Sequence, residues 1–111
     1  MKIERQLVGT VEVCAPLDAL ADEGSEEFAN VLLSMLDSPN PRVVVAMNEV
    51  GFMDSKALEV LLDAADELMD RSLTLKLAGT TPTCREILEL TGLSGRFQFF
   101  EDVDAAVRSF L

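Results

Sequence analysis

Alternation of apolar and polar residues predicts β-strands along the whole chain. The segments "KIERQLV" and "TVEVCA" are typical of two strands, and the Gly9-Thr10 pair between them predicts an N-terminal hairpin. Further along, "RVVVAM" is a short β-branched run of the kind found in buried strands, and "LTLKLAG" alternates as a fourth strand. The run "RFQFF" predicts a last, short strand.

Between these strands, apolar residues recur every three or four positions, which is the spacing of amphipathic helices. We expect the first helix to have Ser25 as its N-cap and to end at "DSPNP". A second helix should follow Asp54, and its predicted apolar stripe comprises Ala57, Leu58, Leu61, Leu62, Ala65, Leu68 and Met69. Thr81-Pro82 should begin a third helix that Gly92 closes, and "DVDAAVRSFL" predicts a terminal helix.

The predicted order of elements is ββαβαβαβα. Strands that alternate with helices imply crossover connections and parallel pairing, whereas the opening hairpin adds an antiparallel pair. We therefore expect an α/β fold with a mixed sheet of four to five strands and about four helices. The chain has 111 residues with no internal linker or repeat, so we expect one domain that spans residues 1–111.

The charge balance limits the classes of partner. The chain has 20 acidic and 9 basic residues, a net charge of −11, and such a surface repels nucleic acid and anionic membranes. No apolar stretch approaches the roughly 20 residues that span a bilayer, and the N-terminal segment lacks the apolar region of a signal peptide. We expect no nucleic-acid binding, no membrane insertion and a cytoplasmic location.

Several kinds of catalytic site are excluded by residue content. Histidine is absent, which removes the usual general base and imidazole metal ligands. The six glycines form no phosphate-binding loop, and Cys14 and Cys84 form no CxxC pair, so we expect both thiols to be small buried side chains and not a disulfide. We expect no enzymatic activity and no metal or cofactor.

The pair Asp54-Ser55 stands where the buried strand "RVVVAM" gives way to the second helix. Asp54 is placed to cap this helix by accepting a backbone N–H, and Ser55 then occupies the first helical position. A phosphate at that position would lie beside exposed N–H groups and the positive end of the helix dipole. The carboxyl ends of parallel strands are also where functional residues gather in α/β folds. Asp-Ser at a helix start is common capping chemistry, and local pattern alone favours that purely structural interpretation over a functional one.

The sequence resembles STAS domains, the modules of anti-sigma factor antagonists and of sulfate-transporter tails. The stretch "VVVAMNEVGFMDSKALEVLLDAADEL" is similar to the central strand, loop, Asp-Ser motif and helix of that family. The segment "APLDA", which contains Asp18, resembles the Gly-x-Leu-Asp motif that follows the second strand. The closing segment "LKLAGTTPTCREILELTGLSGRFQFFEDVDAAVRSF" has the family's strand–helix–strand–helix pattern, so the resemblance covers essentially the whole chain.

The resemblance implies a function for Ser55. In bacterial antagonists of this family an anti-sigma factor kinase phosphorylates the Ser of the Asp-Ser motif and a phosphatase restores it. Only the unmodified form binds the anti-sigma factor. By position, this role belongs to Ser55, and the resemblance implies a partner-binding surface that comprises Asp18, Asp54, Ser55, Lys56 and Glu59.

Lys56, Ala57 and Ala46 depart from the family pattern, and Pro16 stands where the family often has Gly. Lys56-Ala57 stands where the motif usually continues Ser-Gly. The ammonium of Lys56 is placed to pair with a phosphate on Ser55. Ala57 adds a methyl at a position where the family commonly has glycine, which we interpret as open to a partner. Ala46 stands where many members have an acidic or amide residue. The first three of these departures favour a second interpretation, a constitutive STAS subunit of a lipid-transport or stress-signalling assembly in which Ser55 only begins the helix. A third, a small enzyme or carrier that uses carboxylates, is disfavoured by the missing histidine and phosphate loop.

Overall fold

A computed structural model describes residues 3–111. Five strands are present: β1 (Ile3–Val8), β2 (Val11–Pro16), β3 (Val43–Ala46), β4 (Leu75–Ala78) and β5 (Phe97–Phe100). Four α-helices alternate with them: α1 (Glu23–Met35), α2 (Ser55–Met69), α3 (Pro82–Leu90) and α4 (Val103–Arg108). A short 3-10 turn, Ser94–Arg96, precedes β5. The predicted order of strands and helices is confirmed; the predicted first strand began at Lys2, which lies outside the described residues.

The strands form one mixed sheet in the order β1-β2-β3-β4-β5. β1 and β2 pair antiparallel as the predicted hairpin, whose turn contains Gly9 at φ 63°, and every other neighbouring pair is parallel. Because each parallel crossover has the same hand, α1, α2 and α3 follow one another on one face of the sheet. The carboxyl ends of β2 and β3 therefore meet at one edge, where α1 and α2 begin.

Each face of the sheet has its own core. Side chains alternate along a strand, so Val43 and Val45 face α1 and α2, whereas Val44 and Ala46 face α4. The larger core is completed by Phe28, Leu32 and Met35 of α1, Leu61 and Leu68 of α2, Cys84 and Leu88 of α3 and Leu75 and Leu77 of β4. The cysteines Cys14 and Cys84 are buried and unpaired in the described part of the chain, as predicted.

The sequence pattern predicted the N-caps of two helices correctly and that of a third wrongly. Asp54 caps α2 by accepting the Ala57 amide at 2.9 Å, and Thr81 caps α3 by accepting the Cys84 amide at 3.4 Å, both as predicted. The prediction of Ser25 as the N-cap of the first helix is wrong. α1 begins at Glu23, so the N-cap position is Asp22, three residues before Ser25, and Ser25 lies fully buried within the first turn.

The predicted apolar stripe of α2 is also partly wrong. The buried residues are Ala57, Val60, Leu61, Ala64, Ala65 and Leu68. Leu62 and Met69 were predicted to be buried and are not. They lie seven residues apart, so they share one side of the helix, at the edge of its buried face. Leu62 is partly exposed and Met69 is 58% exposed.

Candidate functional site

The candidate site lies where two loops meet at the carboxyl ends of β2 and β3. The amide of Leu20, after β2, donates to the Phe52 carbonyl, after β3, at 2.9 Å. The amide of Asp54 in turn donates to the Leu20 carbonyl at 2.9 Å, so Leu20 and Met53 form an isolated parallel bridge. These bonds place the start of α2 beside the segment that leads into α1.

The carboxylate of Asp54 connects the two segments through three donors. Its Oδ1 accepts the Ala57 amide and also the Ser25 hydroxyl, at 2.7 Å, while its Oδ2 accepts the Asp22 amide at 3.0 Å. The Ser25 hydroxyl and then the Ala57 amide hold the pKa of Asp54 below its ordinary value. Asp54 is therefore ionised at neutral pH and joins the start of α1 to the start of α2.

Ser55 is the first residue of α2 and is exposed to solvent. Because Asp54 caps the helix, the Ser55 hydroxyl is not needed for that task, and within the described part of the chain it has no hydrogen-bond partner. A hydroxyl in this setting is accessible to a modifying enzyme. Its phosphorylation remains a prediction.

The remaining residues predicted to bind a partner are all at the surface. Lys56 and Glu59 are exposed on the first turns of α2, and Glu59 lies on the same side as Ser55 because the two are four residues apart. Asp18 is exposed on the first loop, where its Oδ1 accepts the Ala19 amide at 2.7 Å. All five residues thus lie on the two adjoining loops or on the start of α2, and their part in binding remains a prediction.

Ala57 lies on the buried face of α2, where the predicted apolar stripe placed it, and not at a position open to a partner. It is fully buried and belongs to the larger core, so its methyl packs inward and presents nothing to a partner. The interpretation of Ala57 as a surface position is therefore wrong. A residue two places after Ser55 on a helix points away from it, which agrees with the predicted apolar stripe and disagrees with the interpretation of Ala57 from the family motif.

Sequence reasoning missed two exposed apolar side chains on the same loops. Phe52 is 49% exposed and Leu17 is 45% exposed, each on the loop that follows a strand. Half-exposed aromatic side chains on loops are typical anchors of protein interfaces. In the sequence, Phe52 is one apolar residue of the stretch that precedes Asp54. Its exposure depends on the conformation of the loop, which local sequence pattern does not predict.

The two thiols and the acidic face of α2 lie outside this site. Burial raises the pKa of the Cys14 thiol to about 12 and also raises that of Cys84, so both thiols stay protonated and unreactive. The acidic face of α2, which comprises Asp63, Asp66, Glu67 and Asp70, is exposed, and Asp66 binds Arg96. No group of three His, Cys, Asp or Glu side chains is arranged to hold a metal within residues 3–111.

The helices of the described chain were also assessed for membrane crossing. From Ile3 to Leu111, none combines the necessary length with the necessary apolar composition.

Comparison with known proteins agrees with this architecture. A family model described as the STAS domain matches residues 2–106. An anti-sigma factor antagonist from Mycobacterium paratuberculosis has a solved structure that is 18% identical, with a TM-score of 0.84, over 96% of this chain and 91% of that one. No protein of curated function matches the sequence.

Two structures of the anti-sigma factor antagonist SpoIIAA are also similar. The unphosphorylated form is 17% identical, with a TM-score of 0.78, over 97% of this chain and 96% of that one. The phosphorylated form, from Bacillus, is 17% identical, with a TM-score of 0.76, over 98% of this chain and 99% of that one. At these identities the likeness establishes the fold.

Proposed function

The chain belongs to the STAS domain family, and from this membership we propose that it is an anti-sigma factor antagonist switched by phosphorylation of Ser55. The unmodified protein binds an anti-sigma factor that is also a serine kinase, in the cytoplasm, and a matching phosphatase reverses the modification. The docking surface comprises Asp18, Asp54, Ser55, Lys56 and Glu59. In this proposal the protein is a substrate and binding partner and has no catalytic activity of its own.

The observation that carries the proposal is the state of the Ser55 hydroxyl. It is exposed at the start of α2, on a segment whose backbone is held by hydrogen bonds to the neighbouring loop. In the transfer, Oγ attacks the γ-phosphorus of ATP, the bond to the bridging oxygen of ADP breaks, and the hydroxyl proton passes to a base of the kinase. The protein supplies an accessible, fixed nucleophile.

Charge explains how the modification would act. A phosphate adds roughly −1.5 to −2 charges at pH 7. The phosphate would lie next to the ionised Asp54, on a protein whose net charge is already −11. A partner surface that packs against the neutral hydroxyl would then have to remove water from a dianion, which costs free energy. Phosphorylation is therefore expected to oppose docking. Among the solved structures of similar fold, SpoIIAA is described in both a phosphorylated and an unphosphorylated form.

A second candidate function keeps the same fold without the switch. Lys56 is exposed directly after Ser55 and its ammonium could neutralise part of a phosphate charge, which favours a constitutive STAS subunit of a lipid-transport or stress-signalling complex. Ala57 and Ala46, the other departures counted for this alternative, do not support it because both side chains are buried in the core. The switched antagonist is therefore preferred.

The test is to incubate the protein with ATP and a serine kinase encoded beside its gene, and to map phosphate by mass spectrometry. We expect one phosphate, on Ser55, and none on the Ser55→Ala variant. Ser38→Ala serves as the matched control, because Ser38 is also exposed and its loss should leave the modification unchanged. Phosphate on another residue, or none with an active kinase, would favour constitutive docking.

A further inference from the structure

The turn that leads into α1 has an unfavourable backbone conformation. The Gly24 amide donates to the Ala21 carbonyl at 2.9 Å, which closes a four-residue turn over residues 21–24. Asp22, the first central residue of this 21–24 turn, has φ 53° and ψ −120°. These are the angles of a type II′ turn, a position that glycine occupies readily and that strains a residue with a side chain. Something outside the turn must hold it in place.

The Asp54 carboxylate is the group that holds it. The Asp22 amide donates to Asp54 Oδ2, and the Ser25 hydroxyl, which follows the turn, donates to Asp54 Oδ1. Ser25 is fully buried, so its hydroxyl depends on this one acceptor. The side chain of Asp22 makes no cap for α1, so the bond from its backbone amide is its link to Asp54.

A phosphate on Ser55 would compete with the Asp54 carboxylate for the same backbone donors. Phosphate oxygens attached at the first residue of α2 reach the amides of the first helical turn, one of which, Ala57 N, is bound by Asp54. The two anions would also repel each other across one peptide unit. Both effects displace the Asp54 carboxylate or weaken its bonds, and two of its three donors belong to the start of α1.

We propose that Asp54 is a positioning residue that transmits phosphorylation of Ser55 to α1, so that the modified protein has a loosened 21–24 turn. The partner then meets two changes, a dianion on α2 and a less ordered loop beside it. This inference rests on the proposed function for the occurrence of the phosphate, but not for its structural effect. It extends the switch from one side chain to two segments that are about thirty residues apart in sequence.

The experiment introduces phosphoserine at position 55 during translation, so that no kinase is needed. Amide hydrogen exchange, followed residue by residue by NMR, is compared with that of the unmodified protein. We expect the amides of Asp22 and Gly24 to exchange at least about tenfold faster in the phosphorylated protein, while the amide of Leu77 in the inner strand β4 is unchanged. Rates for Asp22 and Gly24 within twofold of the unmodified protein would overturn the inference.

Two variants separate this mechanism from a general loss of stability. Ser25→Ala removes one donor to Asp54 without adding charge, and it should speed exchange at Asp22 in the unmodified protein; no change there would contradict the role of Asp54. Asp22→Gly relieves the strained backbone, so phosphoserine should then alter exchange at Gly24 by less than twofold. An undiminished effect in Asp22→Gly would show that strain is not involved.

Failure of this inference and failure of the proposed function give different results. Unchanged exchange in the phosphoserine protein would leave the kinase reaction and its effect on binding intact, and would assign the switch to the surface charge alone. A kinase that does not modify Ser55 would leave the exchange result intact, because the phosphate there is introduced without it.

Discussion

At the scale of single residues, neighbouring side chains of the Asp54-Ser55 pair divide two tasks. Asp54 accepts hydrogen bonds from the start of α2 and the start of α1, whereas the Ser55 hydroxyl is exposed and has no partner among residues 3–111. Two adjacent residues of one motif can therefore have different roles, one structural and one chemical, and only their contacts distinguish them. The two residues should respond differently to substitution.

Replacing Asp54 by Ala should strongly destabilise the fold. The change removes a helix N-cap, which contributes about 1 kcal/mol, and leaves the buried Ser25 hydroxyl without its acceptor, which costs about 1–3 kcal/mol. We expect the free energy of unfolding, measured in urea, to fall by about 2–4 kcal/mol. Ser55→Ala is the control and should change it by less than about 0.5 kcal/mol, because Ser55 is exposed and Ala is a good helix former. Equal effects of the two substitutions would contradict the division of tasks.

The stabilising effect of Asp54 should depend on pH. The Ser25 hydroxyl and the Ala57 amide hold the pKa of Asp54 below its ordinary value of 3.8, so the folded state favours the carboxylate. Its contribution is present in full above the pKa of the unfolded chain and is lost as the pH falls through the lower pKa of the folded protein. The difference in unfolding free energy between the wild type and Asp54→Asn should therefore be steady from about pH 7 to 5 and shrink below about pH 4. Ser25→Ala removes the hydrogen bond that lowers the pKa of Asp54 most, so in this variant the change in unfolding free energy between about pH 5 and about pH 3 should be smaller.

At the scale of elements, the proposed docking surface is made by two loops and the start of one helix. The Leu20–Met53 bridge joins the two loops, and Phe52, which precedes Met53, is half-exposed. An exposed apolar side chain on a strongly acidic protein fits a partner that presents an apolar pocket with basic groups around it. The polar residues that the sequence indicated are thus only part of the surface.

Phe52→Ala should weaken binding of the anti-sigma factor kinase by about tenfold or more, because truncating an interface hot spot typically costs about 2 kcal/mol or more and tenfold corresponds to about 1.4 kcal/mol. Met69→Ala is the matched control. Met69 is similarly exposed but lies at the opposite end of α2, so its truncation should leave the affinity unchanged. Affinities can be compared by isothermal titration calorimetry, and equal losses for both variants would place the interface elsewhere.

The elements also show what the sequence could predict and what it could not. Strands and helices followed from local periodicity, and the caps Asp54 and Thr81 followed from residues within three positions of each other. The start of α1 did not, because Ser25 is bound to a carboxylate 29 residues away, and no local pattern contains that contact. The exposure of Phe52 was missed for the same reason. Membership of the STAS family, first indicated by the quoted motifs, is confirmed.

At the scale of the whole molecule, charge and fold serve different purposes. The mixed sheet fixes the two loops at one edge, while the net charge of −11 sets up a field that attracts basic partners from a distance. Fold determines where docking occurs, and charge influences how fast it occurs.

The association rate with the kinase should therefore fall with ionic strength. We expect it to decrease by about tenfold between about 50 and 500 mM salt, since screening shortens the range of the field. Glu59→Gln, on the docking surface, should reduce the rate at low salt more than Glu86→Gln, an exposed glutamate on α3. A rate that does not change with salt would show that the acidic surface serves only solubility. Stopped-flow measurements give these rates directly.

The central claim is that phosphorylation of Ser55 switches partner binding, and the most direct test is the affinity of the two forms for the same kinase. Protein carrying phosphoserine at position 55, unmodified protein and Ser55→Ala should be titrated side by side by calorimetry. We predict that the unmodified protein and Ser55→Ala bind with the same Kd, and that the phosphorylated protein binds at least about tenfold more weakly, a loss of about 1.4 kcal/mol. Equal affinity of the phosphorylated and unmodified forms would contradict the switch and identify the protein as a constitutive binding subunit.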